Sequence, residues 1–147
     1  MTANVAFIKL SPGAIAPSYG SASAAGADLY ALLDHETVIP AGETVMIHTG
    51  IAMEIPDGFA GLIYARSGLA CKRGLAPANK VGVIDSDYRG ELIVALHNHG
   101  KVDQTILPGE RIAQLVITPY LTANFIESTS LSDTERGEGG FGSTGRK

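Results

Sequence analysis

The sequence has a single cysteine, Cys71, so no internal disulfide can staple the fold, and a reducing compartment suits it. It has no apolar run near the roughly 20 residues that a bilayer-spanning helix requires. The opening stretch MTANVAFIKL has neither a basic region nor a long apolar one, so no secretory leader is expected. There is no excess of positive charge. The formal net charge is −4, and the surface as a whole does not attract nucleic acid. A polyanionic ligand must therefore be held by a local cluster of cations. Long helical periodicity and internal repeats are also missing.

What remains is a globular composition, 45% hydrophobic and 18% charged over 147 residues, enough for one domain with a real core. Short apolar or alternating runs predict strands over Val5–Leu10, Thr37–Ile39, Glu43–His48, Ile51–Ile55, Phe59–Tyr64, Glu91–His97, Gln104–Leu107 and Arg111–Thr118. Turn chemistry separates them at Pro40–Glu43, Pro56–Gly58, Asn98–Gly100 and Pro108–Glu110. Strands at this density, with 18 glycines, predict an all-β jelly-roll-like sandwich or barrel. One short helix is expected over Ser67–Arg73, with Ser67 as N-cap and Gly74 as the stop. From about Thr129 the chain turns glycine-rich and poor in core formers. This divides it into a β domain over 1–128 and a flexible C-terminal arm over 129–147.

Five polar and glycine-bearing segments interrupt the β pattern. In Ala24–Tyr30, Asp28 either caps a turn or presents a carboxylate to the hydration shell of a metal that accompanies a phosphate chain. In Ala65–Ala70, Arg66, Ser67 and Gly68 bring a guanidinium, a hydroxyl and backbone N–H groups to a helix start, a combination that favours anions. In Asn79–Glu91, two acids two residues apart stand between an apolar strand and a Tyr-Arg-Gly turn. Asp85, just behind Val83 and Ile84, is placed to be partly desolvated and to act as general base toward water. In Gly109–Leu115, Arg111 and Gln114 fall on opposite faces of a regular strand, so one can reach a ligand while the other makes a structural ion pair. The last segment, Arg136–Gly145, spaces Gly140 and Gly145 as a P-loop would. Arg146 and Lys147 replace the required Lys and Ser/Thr, however, and no helix can follow. It is instead a flexible segment with a guanidinium, the aromatic Phe141 and two hydroxyls, suited to closing over a bound nucleotide.

In this order and spacing, the five segments resemble the five motifs of the homotrimeric dUTPase (deoxyuridine 5'-triphosphate nucleotidohydrolase) family, from about Lys9 to Gly145. The resemblance implies a distorted jelly-roll-like β-barrel (the dUTPase-like β-clip) assembled as a homotrimer with shared sites. It also implies an intracellular enzyme, cytoplasmic or nuclear, that splits dUTP into dUMP and pyrophosphate with Mg²⁺. Such an enzyme limits uracil incorporation into DNA and supplies dUMP for thymidylate synthesis. Asp28 would lie near the metal–triphosphate, with Arg66, Ser67, Gly68 and Gln114 on phosphate oxygens. Asn79 would help read uracil beside Val83 and Ile84, Asp85 would activate water, and Tyr88 would lie under the sugar. Arg136 would meet the γ-phosphate, Phe141 would stack over uracil, and Gly142, Ser143 and Thr144 would close on the phosphates. From Ser128 to Phe141 is 13 residue steps, which fully extended reach roughly 43–47 Å, enough to cross to another subunit.

Two departures stand out: Ala65 replaces the usual Pro of the second motif, and Glu110 replaces the usual Asp of the fourth. Three rival readings are a dCTP deaminase-like nucleotide enzyme, a trimeric nucleotide-binding regulatory protein, and a metalloprotein built on His97 and His99. The last has only His35 and His48 to complete a ligand set, with no matching spacing.

Overall fold

The computed structural model describes residues 2–140. Its strands are β1 (Ala6–Lys9), β2 (Ser18–Tyr19), β3 (Ala27–Tyr30), β4 (Thr37–Ile39), β5 (Thr44–Glu54), β6 (Phe59–Tyr64), β7 (Leu75–Pro77), β8 (Gly82–Ile84), β9 (Glu91–Asn98), β10 (Gln104–Ile106) and β11 (Arg111–Pro119). The helix α1 (Ser67–Arg73) sits between β6 and β7. A four-stranded sheet in the order β1-β5-β9-β7 faces a five-stranded sheet in the order β2-β3-β11-β6-β8, and a β10-β4 pair stands beside them. This is the expected jelly-roll-like all-β architecture with one short helix.

Strict alternation explains why β9 lies where it does. Leu92, Val94, Leu96 and Asn98 point inward, while Glu91, Ile93, Ala95 and His97 are half-buried on the other face. The inward set packs with Leu29, Ile39, Ile47, Ile51, Leu75, Ile106 and Ile112 into one core shared by the two sheets. Asn98 occupies an apolar position at full burial, so every polar atom of its side chain needs a partner. Nδ2 donates to the carbonyls of Ile39 (3.0 Å) and Val102 (2.8 Å), and Oδ1 accepts from the Gly100 N–H (2.9 Å). One amide thus ties β9, β4 and the following turn together.

Several local expectations are corrected. The two runs on either side of Thr49 form one eleven-residue strand, β5, because a bulge between His48 and Ala52 absorbs the break in alternation. The segment around Asp28 forms β3, paired on both sides by β2 and β11. Too short to show a period, it gives no strand signal of its own. Arg66, in extended conformation, precedes the first helical residue, so Ser67 is not the N-cap, and among the described residues no side chain caps α1. Gly74, in the left-handed region at φ 67°, ends the helix as expected.

The most consequential correction concerns β11. A bulge between Arg111 and Ala113 leaves both Ile112 and Ala113 buried. The extra residue reverses the alternation, so Arg111 and Gln114 reach the same face instead of opposite ones.

After β11, residues 120–140 carry no helix or strand and are almost wholly exposed, with Leu121 98% and Phe125 93% accessible.

Candidate active site

Asp28 is the centre of the first polar cluster. Its place on β3 puts it directly opposite Gln114 on β11, in a strand pair that buries its neighbours Ala27 and Leu29. Its Oδ1 accepts from Arg66 Nε at 2.7 Å and its Oδ2 from Arg111 Nη1 at 3.2 Å, with the carboxylate largely buried and the Arg111 side chain half exposed. Two guanidinium groups around one carboxylate leave a local net positive charge on a chain that is acidic overall. Gln114 Nε2 donates to the carbonyl of Ala65 at 2.9 Å, and a β-carbon on Gly26 would stand 2.5 Å from Gln114 Oε1. The amide is therefore wedged between the first and second segments. That tether fixes the chain just before Arg66, where Ala65 lacks the φ constraint of a proline.

Glu110 does not pair with Arg111. Its carboxylate accepts from Arg73 at 2.5 Å and from the Leu107 N–H at 2.9 Å. Arg73 also donates to Gln104 and to the Thr105 carbonyl. The end of α1 is thereby fastened to the turn that precedes Arg111. Ser67 and Gly68 lie exposed at the start of the helix.

The second cluster is built on the turn from β8 to β9. Val83, Ile84, Asp85 and Tyr88 line a cleft of about 360 Å³ together with Met46, Glu91 and Ile93. The turn is held from within. The Tyr88 N–H donates to the Asp85 carbonyl at 3.2 Å, and Arg89 Nη1 donates to the Ser86 carbonyl at 2.6 Å while Nη2 reaches Glu54 at 3.5 Å. The Tyr88 ring folds back over Gly90, where a β-carbon would meet its hydroxyl at 2.3 Å, and the phenol donates to the Glu91 carbonyl at 3.0 Å. Asp85 is exposed, so the expected partial desolvation is not met within a single chain. The reason is geometric: it lies just beyond the end of β8, and β8 is an edge strand. Asn79 sits in the exposed turn before β8, with its side-chain amide beside Gly82.

The two clusters do not meet within the chain. Gly61 pairs with Ile84, so Asp85 leaves the sheet beside Ala60, whereas Arg66 follows the opposite end of β6. Along a strand, that span from residue 60 to residue 66 is roughly 20 Å, far longer than a phosphate linkage. Arg136 stands apart from both, in a turn where its Nε donates to the Gly139 carbonyl at 2.8 Å. Phe141, Gly142, Ser143 and Thr144 lie outside the described residues.

A model of the dUTPase family matches residues 13–145. The deoxyuridine 5'-triphosphate nucleotidohydrolase of Desulfitobacterium hafniense is 48% identical over 142 residues, which is 96% of this chain and 94% of that protein. The chain belongs to the dUTPase family. Among solved structures, the dUTPase of Staphylococcus bacteriophage 80alpha, determined with dUpNHpp, superposes with a TM-score of 0.89 at 30% identity and covers 98% of this chain and 99% of its own. The dUTPase of phage phi11 of S. aureus, described with a structural Mg(II) ion, reaches 0.79 at 25% identity, covering 88% of this chain and 99% of its own.

Metal-ligand chemistry in this dUTPase-family chain is sparse. Among the described residues no three His, Cys, Asp or Glu side chains gather as a cage. Asp28 has one guanidinium donor on each oxygen and keeps one lone pair per oxygen free. That arrangement fits a hydrated Mg²⁺ carried by a triphosphate and touched through water. Among the described residues no third His, Cys, Asp or Glu side chain joins His97 and His99 to hold a metal. His97 and His99 meet edge to face, with ring centroids 4.3 Å apart and planes inclined by 66°, and His97 Nδ1 is engaged by the Thr44 hydroxyl at 2.9 Å. Desolvation and the charges of Lys80 and His97 hold the His99 pKa below the usual histidine value.

Sequence reasoning left Glu91 and His48 out of the site. Arg111 was expected either to reach a ligand or to make a structural ion pair, and it pairs with Asp28; what the β11 bulge hid is that it shares a face with Gln114. His48 and Glu91 are 43 residues apart, and only strand pairing brings Nδ1 of one to within 2.8 Å of the other's carboxylate.

Proposed function

We propose that the protein hydrolyses dUTP to dUMP and pyrophosphate, with each site assembled from more than one copy of the chain. The observation that carries this reading is the cleft that Tyr88 and Ile84 line with the exposed carboxylate of Asp85. A nucleoside seated there leaves its α-phosphate near that carboxylate. Asp85 accepts a proton from a water molecule as the water oxygen bonds to the α-phosphorus. The bond from that phosphorus to the bridging oxygen breaks, and pyrophosphate leaves with the electron pair. The Tyr88 ring lies under the deoxyribose and leaves no room for a 2′-hydroxyl, and Asn79 with the Val83–Ile84 backbone reads the uracil edge.

The leaving group carries the negative charge, and Arg66 of a neighbouring copy, aimed by Asp28, neutralises it with Ser67, Gly68 and Gln114 as further donors. Bound Mg²⁺, held through water near Asp28, would offset charge on the phosphate chain. Three features support assembly. Asp85 and Arg66 lie at opposite ends of β6 and β8 in one chain. Leu121, Phe125, Ile126 and Leu131 are bare on the segment after β11. An apolar cavity of about 530 Å³, lined in part by Phe7, Met53, Phe59 and Ile117, is open to receive such side chains. We read the assembly as a homotrimer, with residues 129–147 as an arm that brings Arg136, Phe141, Gly142, Ser143 and Thr144 over the nucleotide. Its place is inside the cell, cytoplasmic or nuclear, where the single exposed Cys71 stays reduced.

The test is a pyrophosphate-release assay on dUTP, UTP, dTTP and dCTP with added Mg²⁺, run beside a mass measurement of the assembly. Release from dUTP alone, by a trimer, supports the proposal. Ammonia release from dCTP, or an intact dUTP pool, overturns it.

A further inference from the structure

Beside the cleft, β5 and β9 fall out of step. His48 pairs with Ile93 and pairing resumes at Ala52 with Glu91, so Thr49, Gly50 and Ile51 all stand opposite Leu92. A bulge of this kind leaves backbone donors without a ladder partner, and each must find another acceptor. The buried Thr49 hydroxyl donates to the Leu92 carbonyl at 2.6 Å and accepts from the Ile51 N–H at 3.3 Å. The remaining gap is filled by Glu91. Its Oε1 accepts from the Gly50 N–H at 2.7 Å and its Oε2 from His48 Nδ1 at 2.8 Å. Burial pushes the Glu91 carboxyl up, but the His48 and Gly50 donors outweigh it and hold the pKa below the ordinary glutamate value. Glu91 therefore stays a double acceptor at neutral pH.

The same residue lines the cleft. The Glu91 carbonyl is the acceptor for the Tyr88 phenol at 3.0 Å, and Glu91 follows directly on Gly90, over which the Tyr88 ring lies. A carboxylate anchored in β5 thus fixes the main chain that fixes the phenol. Without that anchor, the first residue of β9 keeps only its pairing with Ala52, beyond a two-residue irregularity.

We infer that Glu91, anchored by His48, is a positioning residue for sugar discrimination: plugging the β5 bulge holds the Tyr88 ring in the orientation that excludes a 2′-hydroxyl. The inference rests on the placement of Tyr88 under the deoxyribose proposed above. A steric wall discriminates only as well as it is held rigid, and here the rigidity comes from a carboxylate whose two oxygens are engaged by Gly50 and His48 of β5.

The experiment compares kcat and KM for dUTP and UTP in the wild type and in Glu91→Ala, Glu91→Gln and His48→Ala. In Glu91→Ala the dUTP/UTP ratio of kcat/KM is expected to fall by about tenfold, mainly through KM, with kcat for dUTP within about threefold. Glu91→Gln keeps an acceptor for the Gly50 N–H and is expected to restore most of the ratio. His48→Ala loosens the anchor and shifts the ratio in the same direction by about threefold, which keeps the test open if Glu91→Ala does not fold. A wild type that discriminates against UTP, with Glu91→Ala or His48→Ala losing activity equally on both nucleotides, overturns the inference. A wild type that leaves dUTP intact overturns the underlying reading instead, so the two failures are distinct.

Discussion

Replacing Asp28 by Asn probes the geometry of the phosphate cluster most directly. The carboxylate accepts one charge-assisted hydrogen bond from Arg66 in a largely buried setting, and a longer one from the half-exposed Arg111. A hydrogen bond to a charged group contributes about 1.5–3 kcal/mol, whereas an exposed ion pair contributes about 0.5 kcal/mol once solvent screens it. Asparagine retains one acceptor but turns an amide donor toward the second guanidinium. The net loss is therefore about 2 kcal/mol. With a urea slope of about 2 kcal/mol/M, the unfolding midpoint drops by about 1 M, measured at one fixed protomer concentration because assembly contributes to stability. Arg66, its Nε tether weakened by the loss of the carboxylate charge, spends less time aimed at a phosphate, so KM for dUTP rises by about tenfold. A midpoint within about 0.2 M of wild type together with an unchanged KM would refute the claim that Asp28 aims Arg66.

Asp85→Asn is expected to keep dUTP binding within a few-fold and lower kcat by about 10²–10⁴, read by single-turnover pyrophosphate release; near-wild-type turnover would remove Asp85 from the base role. Gly90→Ala forces a methyl group against the Tyr88 ring, where a β-carbon would lie 2.5 Å from Cζ, so discrimination between dUTP and UTP should weaken without a comparable fall in melting temperature. Asn98→Ala leaves the Ile39 carbonyl without its side-chain donor and opens a void in the core, at a cost of about 3 kcal/mol in chemical denaturation; a loss below about 1 kcal/mol would mean the tie is dispensable. Removing the residues after Asp133 should leave a folded assembly with turnover greatly reduced, and an untouched kcat would show that the arm plays no part in the reaction.

The elements that sequence periodicity specified are those whose faces differ in environment. β9 alternates without a break from Glu91 to Asn98, β6 from Phe59 to Tyr64 fills its predicted span, and Gly74 stops α1 where a left-handed residue is needed. The chemical inventory was equally legible, because motif order and spacing are one-dimensional properties. Asp28, Arg66, Asp85, Tyr88 and Gln114 could be named before any contact was known.

Bulges hid what periodicity could not express. An inserted residue between Arg111 and Ala113 reverses which side chains share a face, and only the pairing of β11 with β3 shows that Arg111 and Gln114 both belong to Asp28. The break between His48 and Ala52 joins two predicted strands into one, and the Glu91 carboxylate that fills it comes from 43 residues away in sequence. The chain order by itself therefore determined the strands long enough to show a period, the family and the list of candidate reactive groups. Tertiary pairing alone decided which of those groups meet and set Asp85 and Arg66 at opposite ends of the same two strands, because contacts between distant segments depend on register, and register is a property of two strands together.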